Sequence, residues 1–144
     1  MDTTLVVEEP TFAQRVAGRF VDSLLLLPVV LVVRAAVTTD RRAVAAVTIM
    51  IGLGYEVGAT ARYGRTLGKR LVGTRIMRLA TGTTPGPQVV TLRYLALSVG
   101  TIATMAAPKS PIGPILWLIV IIPILRPPEH RGLHDRLSGT VVSA

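Results

Sequence analysis

The chain has no cysteine, which excludes a disulfide scaffold, a zinc ribbon, an iron–sulfur site and a thiol nucleophile. Aromatic residues make up only 4% of its 144 positions and charged residues only 17%, and of the charged ones just eight are acidic. Acids are missing altogether from 62–88. With so few carboxylates, no paired-carboxylate site is legible, and no Ser–His–Asp arrangement is either, so enzymatic function is not expected. What is abundant is apolar: half of the residues are hydrophobic and mean hydropathy is +0.56. They cluster in long runs instead of alternating, which excludes a disordered or collagen-like chain and bounds a single compact unit. Sixteen Lys and Arg against eight Asp and Glu give a net charge of +8. In a soluble protein that balance suggests nucleic acid; in an apolar chain it points to a membrane surface and anionic lipids, and no nucleic-acid partner is expected.

Four apolar runs follow a short acidic lead, residues 1–11, that has no periodicity and reads as unstructured. The first run, about 12–33, reaches ~33 Å as a helix, enough to cross a ~30 Å hydrocarbon layer. Its acidic lead and interrupted core differ from a secretory signal, so it reads as a retained anchor. Pro28 lies in its second half, where membrane helices tolerate proline. The second run, about 43–61, contains Gly54-x-x-x-Gly58, the spacing that lets helix backbones approach, either against a neighbouring helix or across a dimer. The third, about 89–107, opens with Arg93 and Tyr94, residue types that belong at a membrane interface. The fourth, about 111–125, is only ~22 Å long as a helix, and its unbroken apolar sequence around Trp117 favours a crossing. Between runs two and three lies a basic loop, 62–88, with an amphipathic stretch from Thr66 to Val72 and a strand-like stretch over 74–79. Arg65, Lys69 and Arg70 are expected to contact lipid headgroups there. After run four a tail, 126–144, ends in a second strand-like stretch over 140–143. The expected architecture is an all-α membrane bundle of about four transmembrane helices with a small basic cytoplasmic cap, closed by a two-stranded pairing of 74–79 with 140–143.

Charge sorts to one side. With four crossings, twelve of the sixteen cations fall on the face that carries both termini, the basic loop and the tail. The positive-inside rule puts that face, and both termini, in the cytoplasm.

Acids within spanning segments are the most informative residues, because each costs ~2.5–3.5 kcal/mol at a helix centre and needs a partner or water. Asp22 and Glu56 qualify. Arg15 and Arg19 precede Asp22 by seven and three residues and share its helical face, so the three can pair. Glu56 has no opposite charge within four residues, and its partner must come from elsewhere, with Arg15, Arg19, Arg62 and Arg93 as candidates. Two readings follow: a structural ion-pair network, or an ion or proton path through Asp22 and Glu56. The segment Gly64-Arg-Thr-Leu-Gly68-Lys69 fails the nucleotide-loop pattern, which needs four residues between the glycines and Ser or Thr after the lysine. His130 and His134 are four apart with Asp135 following, but Gly132 between them and Pro127 and Pro128 before them oppose a metal-binding helix and favour a hydrogen-bonded turn. No metal or cofactor site is legible.

The stretch from Arg15 to Asp22, followed by four leucines, then Gly64 to Gly73, then Arg93, and finally Leu133-His-Asp-Arg-Leu-Ser-Gly-Thr140, resembles in order and spacing the RDD family of small bacterial membrane proteins. The resemblance covers roughly Phe12 to Val142. The arginine and two aspartates of the family's name map onto Arg15, Asp22 and Asp135, with Arg19 competing for the arginine. The resemblance implies a multi-pass protein of the bacterial cell membrane, with transport suggested and cation/proton antiport proposed for some members. On that reading Asp22 and Glu56 are the protonatable or cation-contacting residues, Arg15, Arg19 and Arg93 their charge partners, and His134 and Asp135 a cytoplasmic latch docking near Arg15 or the basic loop. Four short helices offer few polar walls, so a homo-oligomer or an accessory role beside another membrane protein is expected. The competing reading is a non-transporting scaffold or accessory protein whose charges lock helices together.

Overall fold

The computed structural model describes residues 8–36, 40–125 and 130–144. Residues 1–7 of the acidic lead, part of the first connection (37–39), and Arg126 to Glu129 with the two prolines of the tail lie outside the described residues.

Six helices and two strands form in the order α1 (Phe12–Ala36), α2 (Arg41–Tyr63), α3 (Leu67–Leu71), β1 (Arg75–Arg78), α4 (Pro87–Ala106), α5 (Ile112–Ile121), α6 (Leu133–Ser138) and β2 (Thr140–Ser143), with a 3₁₀ turn, Ile122–Leu125, extending α5. Local chemistry explains several boundaries. The Asp40 carboxylate accepts from the Arg42 N–H at the start of α2. Gly64 ends α2 in a left-handed conformation (φ 71°) and donates to the Thr60 carbonyl. Thr66 caps α3 by accepting from the Lys69 N–H, and Pro87 takes the first turn of α4, where its missing N–H costs nothing.

Three helices are long and apolar enough to cross a membrane: Phe12–Ala36, Arg42–Tyr63 and Pro87–Ala106. The fourth apolar segment, Ile112–Leu125, is shorter. At ~1.5 Å per residue the segment reaches ~21 Å, so the expected bundle of about four apolar helices has three long members and one short one. It packs along α4 and returns the chain to the end of the bundle from which α4 started.

Close approach between helices depends on particular glycines. A Cβ added at Gly100 would lie 2.7 Å from the Trp117 backbone nitrogen, and one at Gly113 2.6 Å from that of Thr104, so α4 and α5 meet through this pair. Gly52 leaves room for the Tyr94 ring, whose hydroxyl donates to the Ile49 carbonyl at 3.2 Å. The Gly54 and Gly58 face, expected to pack against a neighbouring helix, instead is exposed, with nothing within 4 Å of either added Cβ. The two residues lie on a side of α2 that neither α1 nor α4 covers.

At one end of the bundle sits the cap. β1 and β2 pair antiparallel, with Arg75 opposite Ser143, Ile76 opposite Val142, Met77 opposite Val141 and Arg78 opposite Thr140. The expected pairing therefore forms, shortened at both ends of its first strand. An isolated two-stranded ribbon is marginal in water. Here it is tied down: Ile76 N–H donates to Gly64, Leu79 N–H to Gly139, and Ala144 N–H to Glu8, which joins the two described ends of the chain. Ile76, Met77, Val141 and Val142 are buried, whereas the outward faces of α1 and α5 leave Phe20, Val32 and Ile119 exposed. Apolar side chains are thus buried mainly in the cap and displayed along the helices, the distribution expected of spanning segments whose apolar solvent is lipid.

Candidate functional site

Beneath the cap, the charged residues singled out in the sequence converge from five separate elements. Glu56, in the last turns of α2, is 2% exposed. It accepts from Arg19 on α1, from Lys69 Nζ on α3 at 3.2 Å and from Arg93 on α4 at 3.2 Å. Two of the four partners expected for it, Arg19 and Arg93, are present. Asp135, on α6, is fully buried. Its Oδ1 accepts from Arg93 Nε at 2.9 Å and Nη2 at 2.8 Å, while Oδ2 takes the Gly132 N–H at 3.3 Å and stands 3.9 Å from Arg15 Nη1. Arg93 therefore bridges two carboxylates, one from α2 and one from the tail. Truncating such a bridge would leave charge buried without its partner, a costly outcome.

Asp22 behaves differently. The expected pairing with Arg15 and Arg19 along one face of α1 does not form, because Arg19 turns to Glu56 and Arg15 to Asp135. The Asp22 carboxylate is held by neutral donors: Tyr55 Oη at 2.7 Å, Thr66 Oγ1 at 2.6 Å and the Gly68 N–H at 2.8 Å. Helical spacing allowed the intrahelical pairing; the position of α3 decided against it. Gly68 packs directly on α1, and a Cβ there would collide with the Gly18 carbonyl oxygen and lie 2.8 Å from the Asp22 carboxyl carbon. The Gly64 to Lys69 segment does what its likeness to a phosphate loop suggests physically, presenting a backbone N–H and a hydroxyl to an anion, but the anion is the protein's own Asp22.

Lys69 is also redirected. Expected at lipid headgroups with Arg65 and Arg70, it points inward at Glu56 with 12% of its side chain exposed, while Arg70 is exposed and Arg65 half-buried. Burial lowers the Lys69 pKa against the opposing pull of Glu56. His134 is buried beside Asp135, its Nε2 3.4 Å from Oδ2. Burial first, and then the Arg93 guanidinium, push its pKa down to about 4. Burial alone would raise the pKa of Asp135, but Arg93, His134 and Arg15 outweigh it and hold the carboxyl below its ordinary value. The anticipated turn around His134 is a six-residue helix, α6, ended by Gly139 in a left-handed conformation (φ 62°).

Sequence reasoning missed Tyr55, Thr66, Gly68 and the inward role of Lys69. Three of these four belong to the Gly64 to Gly73 motif that carried the family resemblance, so the signal was present as a motif without a ligand.

A cavity of about 600 Å³ opens beside this network, and Arg15, Arg19, Lys69 and Arg93 line it together with His134, whereas Asp22, Glu56 and Asp135 do not. The acids face inward into closed contacts and the cations face the space.

Three apolar spanning helices, a short apolar fourth and a basic cap pinned through buried arginines and aspartates define a small helical membrane protein of capped-bundle type. Residues 9–139 match the family model described as the RDD family, and the chain belongs to that family. No curated protein and no solved structure matches it.

Proposed function

We propose that this RDD protein is a non-transporting scaffold or accessory protein of the bacterial cell membrane, in which the intramembrane acids lock the helices and the cap into one body. The observation that carries this reading is the lining of the central cavity: four cations face it, and neither Asp22 nor Glu56 does. A cation crossing such a space would meet positive charge, and a proton carrier works best as a bare buried carboxylate, which neither acid is. On the positive-inside rule the cap faces the cytoplasm, and the exposed Arg70 and Arg78 suit contact with anionic lipid or a partner protein there. The exposed Gly54 and Gly58 on α2 supply a close-approach face for a second copy or another membrane protein.

The reading is tested by reconstituting the purified protein in liposomes and following proton, sodium and potassium flux. Flux equal to that of protein-free liposomes, together with loss of folding or assembly in Asp22→Asn, supports it. A flux above background that Asp22→Asn or Glu56→Gln abolishes while the protein stays folded overturns it in favour of the cation or proton path.

A further inference from the structure

The cavity has two unlike ends. α1 packs mainly on α2 and α3, and α4 mainly on α2, α5 and α6, so a cleft remains between α1 and the α4–α5 pair. Its cap end is basic. Arg15, Arg19, Lys69 and Arg93 line it, and Glu56 and Asp135 are the only acids in ionic contact with these four among the described residues. Glu9 acts on Arg15, and Asp22 on Arg19 and Lys69, from farther off, but no acid lines the space that the four cations face.

One of the four is visibly short of partners. Arg15 keeps only 10% of its side chain exposed, its Nη1 is 3.9 Å from Asp135, and its Nε and Nη2 are buried without an acceptor. A buried guanidinium with two unused donors is an expensive arrangement unless something accepts from it. Arg19, by contrast, leaves 42% of its side chain open toward the same space. Away from the cap the walls turn mainly apolar, with Phe20 on one side and Leu97, Met105, Trp117 and Ile121 on the other, interrupted by a few serine and threonine hydroxyls. From Arg93 to Met105 the α4 wall runs ~18 Å. That is close to one leaflet of the ~30 Å hydrocarbon core.

We propose that this cleft binds an anionic membrane lipid, with its phosphate on Arg15 and Arg19 and one acyl chain along the apolar walls between α1 and the α4–α5 pair. The geometry asks for both halves at once: a phosphate group satisfies the spare guanidinium donors, and a chain fills a cleft that neither water nor a small anion fills well. The site is internal, set apart from the surface contacts of Arg65 and Arg70, and it does not depend on whether the protein transports.

Because the chain has no cysteine, a single Met105→Cys substitution places a unique thiol in the apolar wall. The full chain, purified in a neutral detergent, is labelled with a maleimide in the presence of dioctanoyl-phosphatidylglycerol, dioctanoyl-phosphatidylcholine or inorganic phosphate. The expected result is that the phosphatidylglycerol slows labelling at least fivefold while the other two do not. Adding Arg15→Gln should weaken that protection about tenfold in lipid concentration, Arg15→Lys should restore part of it, and Arg78→Gln on the exposed cap should leave it unchanged. Equal protection by both lipids makes the cleft merely apolar, protection by phosphate alone makes it a small-anion site, and no protection by any of them leaves it empty. Each of those overturns the proposal. The comparison of headgroups is made with Arg15 intact, so it holds even where Arg15→Gln does not fold.

Discussion

Glu56 and Asp22 are both buried intramembrane acids, yet their surroundings predict different costs of neutralisation. Glu56 answers three cations, so Glu56→Gln leaves them facing one another without a counter-charge, and thermal unfolding in detergent should report a loss of about 3–5 kcal/mol. Asp22 answers a phenol, a hydroxyl and a backbone N–H. Asn keeps one acceptor oxygen but turns an amide donor toward one of those donors, so the loss for Asp22→Asn should be smaller, about 1–3 kcal/mol. The reverse ranking would mean that the cations around Glu56 find other partners. His134 adds a pH dependence of definite sign. Its imidazole titrates near 6.5 in the unfolded chain and at about 4 in the folded one. Between those values the unfolded state binds a proton that the folded state refuses, so stability falls with acidification, by about 3 kcal/mol across the window. Asp135, with its pKa also held down, acts in the same direction at lower pH. The melting temperature should therefore drop between pH 7 and pH 4.5, and His134→Gln should flatten that drop; an undiminished slope would assign it to other groups.

Among the elements, α3 is the joint between the bundle and the cap. It is only five residues long, too short to persist alone, and survives because Thr66 caps it, the Tyr55 hydroxyl accepts from the Leu67 N–H, Asp22 accepts from the Gly68 N–H, and Gly68 lets it lie on α1. Gly68→Ala drives a methyl group into the Gly18 carbonyl and the Asp22 carboxyl, both fixed, and is expected to cost about 1–3 kcal/mol or more and to loosen α3 from α1. Gly58→Ala meets open space and should leave monomer stability near the parent value, or raise it through better helix propensity. Thermal melts of the two variants side by side separate the glycine that packs within the chain from the one whose face no described helix of the chain covers. The same contrast limits what Gly54-x-x-x-Gly58 does within the chain: spacing marks a face that permits close approach, and no described helix of this chain lies over it.

At the scale of the whole molecule, the tail closes the structure. Asp135 meets Arg93 and Arg15, and β2 pairs with β1, so the last dozen residues hold α4, α1 and the cap together. Removing residues 140–144 should raise amide hydrogen exchange in β1 and α3 while α4 and α5, which meet through Gly100 and Gly113, keep their protection. Uniform deprotection of all helices would instead make the cap a cooperative part of the bundle. Exposed apolar side chains along α1 and α5 match a lipid surround, and among the described residues three long apolar helices and a shorter fourth carry the chain through it.

Much of this could be read from residues in order. Long apolar runs mark helices because period and length are local properties, and the loose alternation over 74–79 and the short strand-like stretch over 140–143 marked strands that do pair. The acids inside apolar runs, Asp22 and Glu56, stood out in the sequence, and Asp135 stood out through the family motif; all three are buried. What the chain alone left open was who pairs with whom. Arg15 and Arg19 lie on the same helical face as Asp22, and only the docking of α2, α3 and α6 turned them to Asp135 and Glu56. Lys69 read as a surface cation because it sits in a basic amphipathic stretch, but α3 turns it inward to Glu56. Charge pairing acts over a few ångströms in space and is blind to separation along the chain, so the tertiary arrangement decided which cations were spent on acids and left Arg15 with donors to spare.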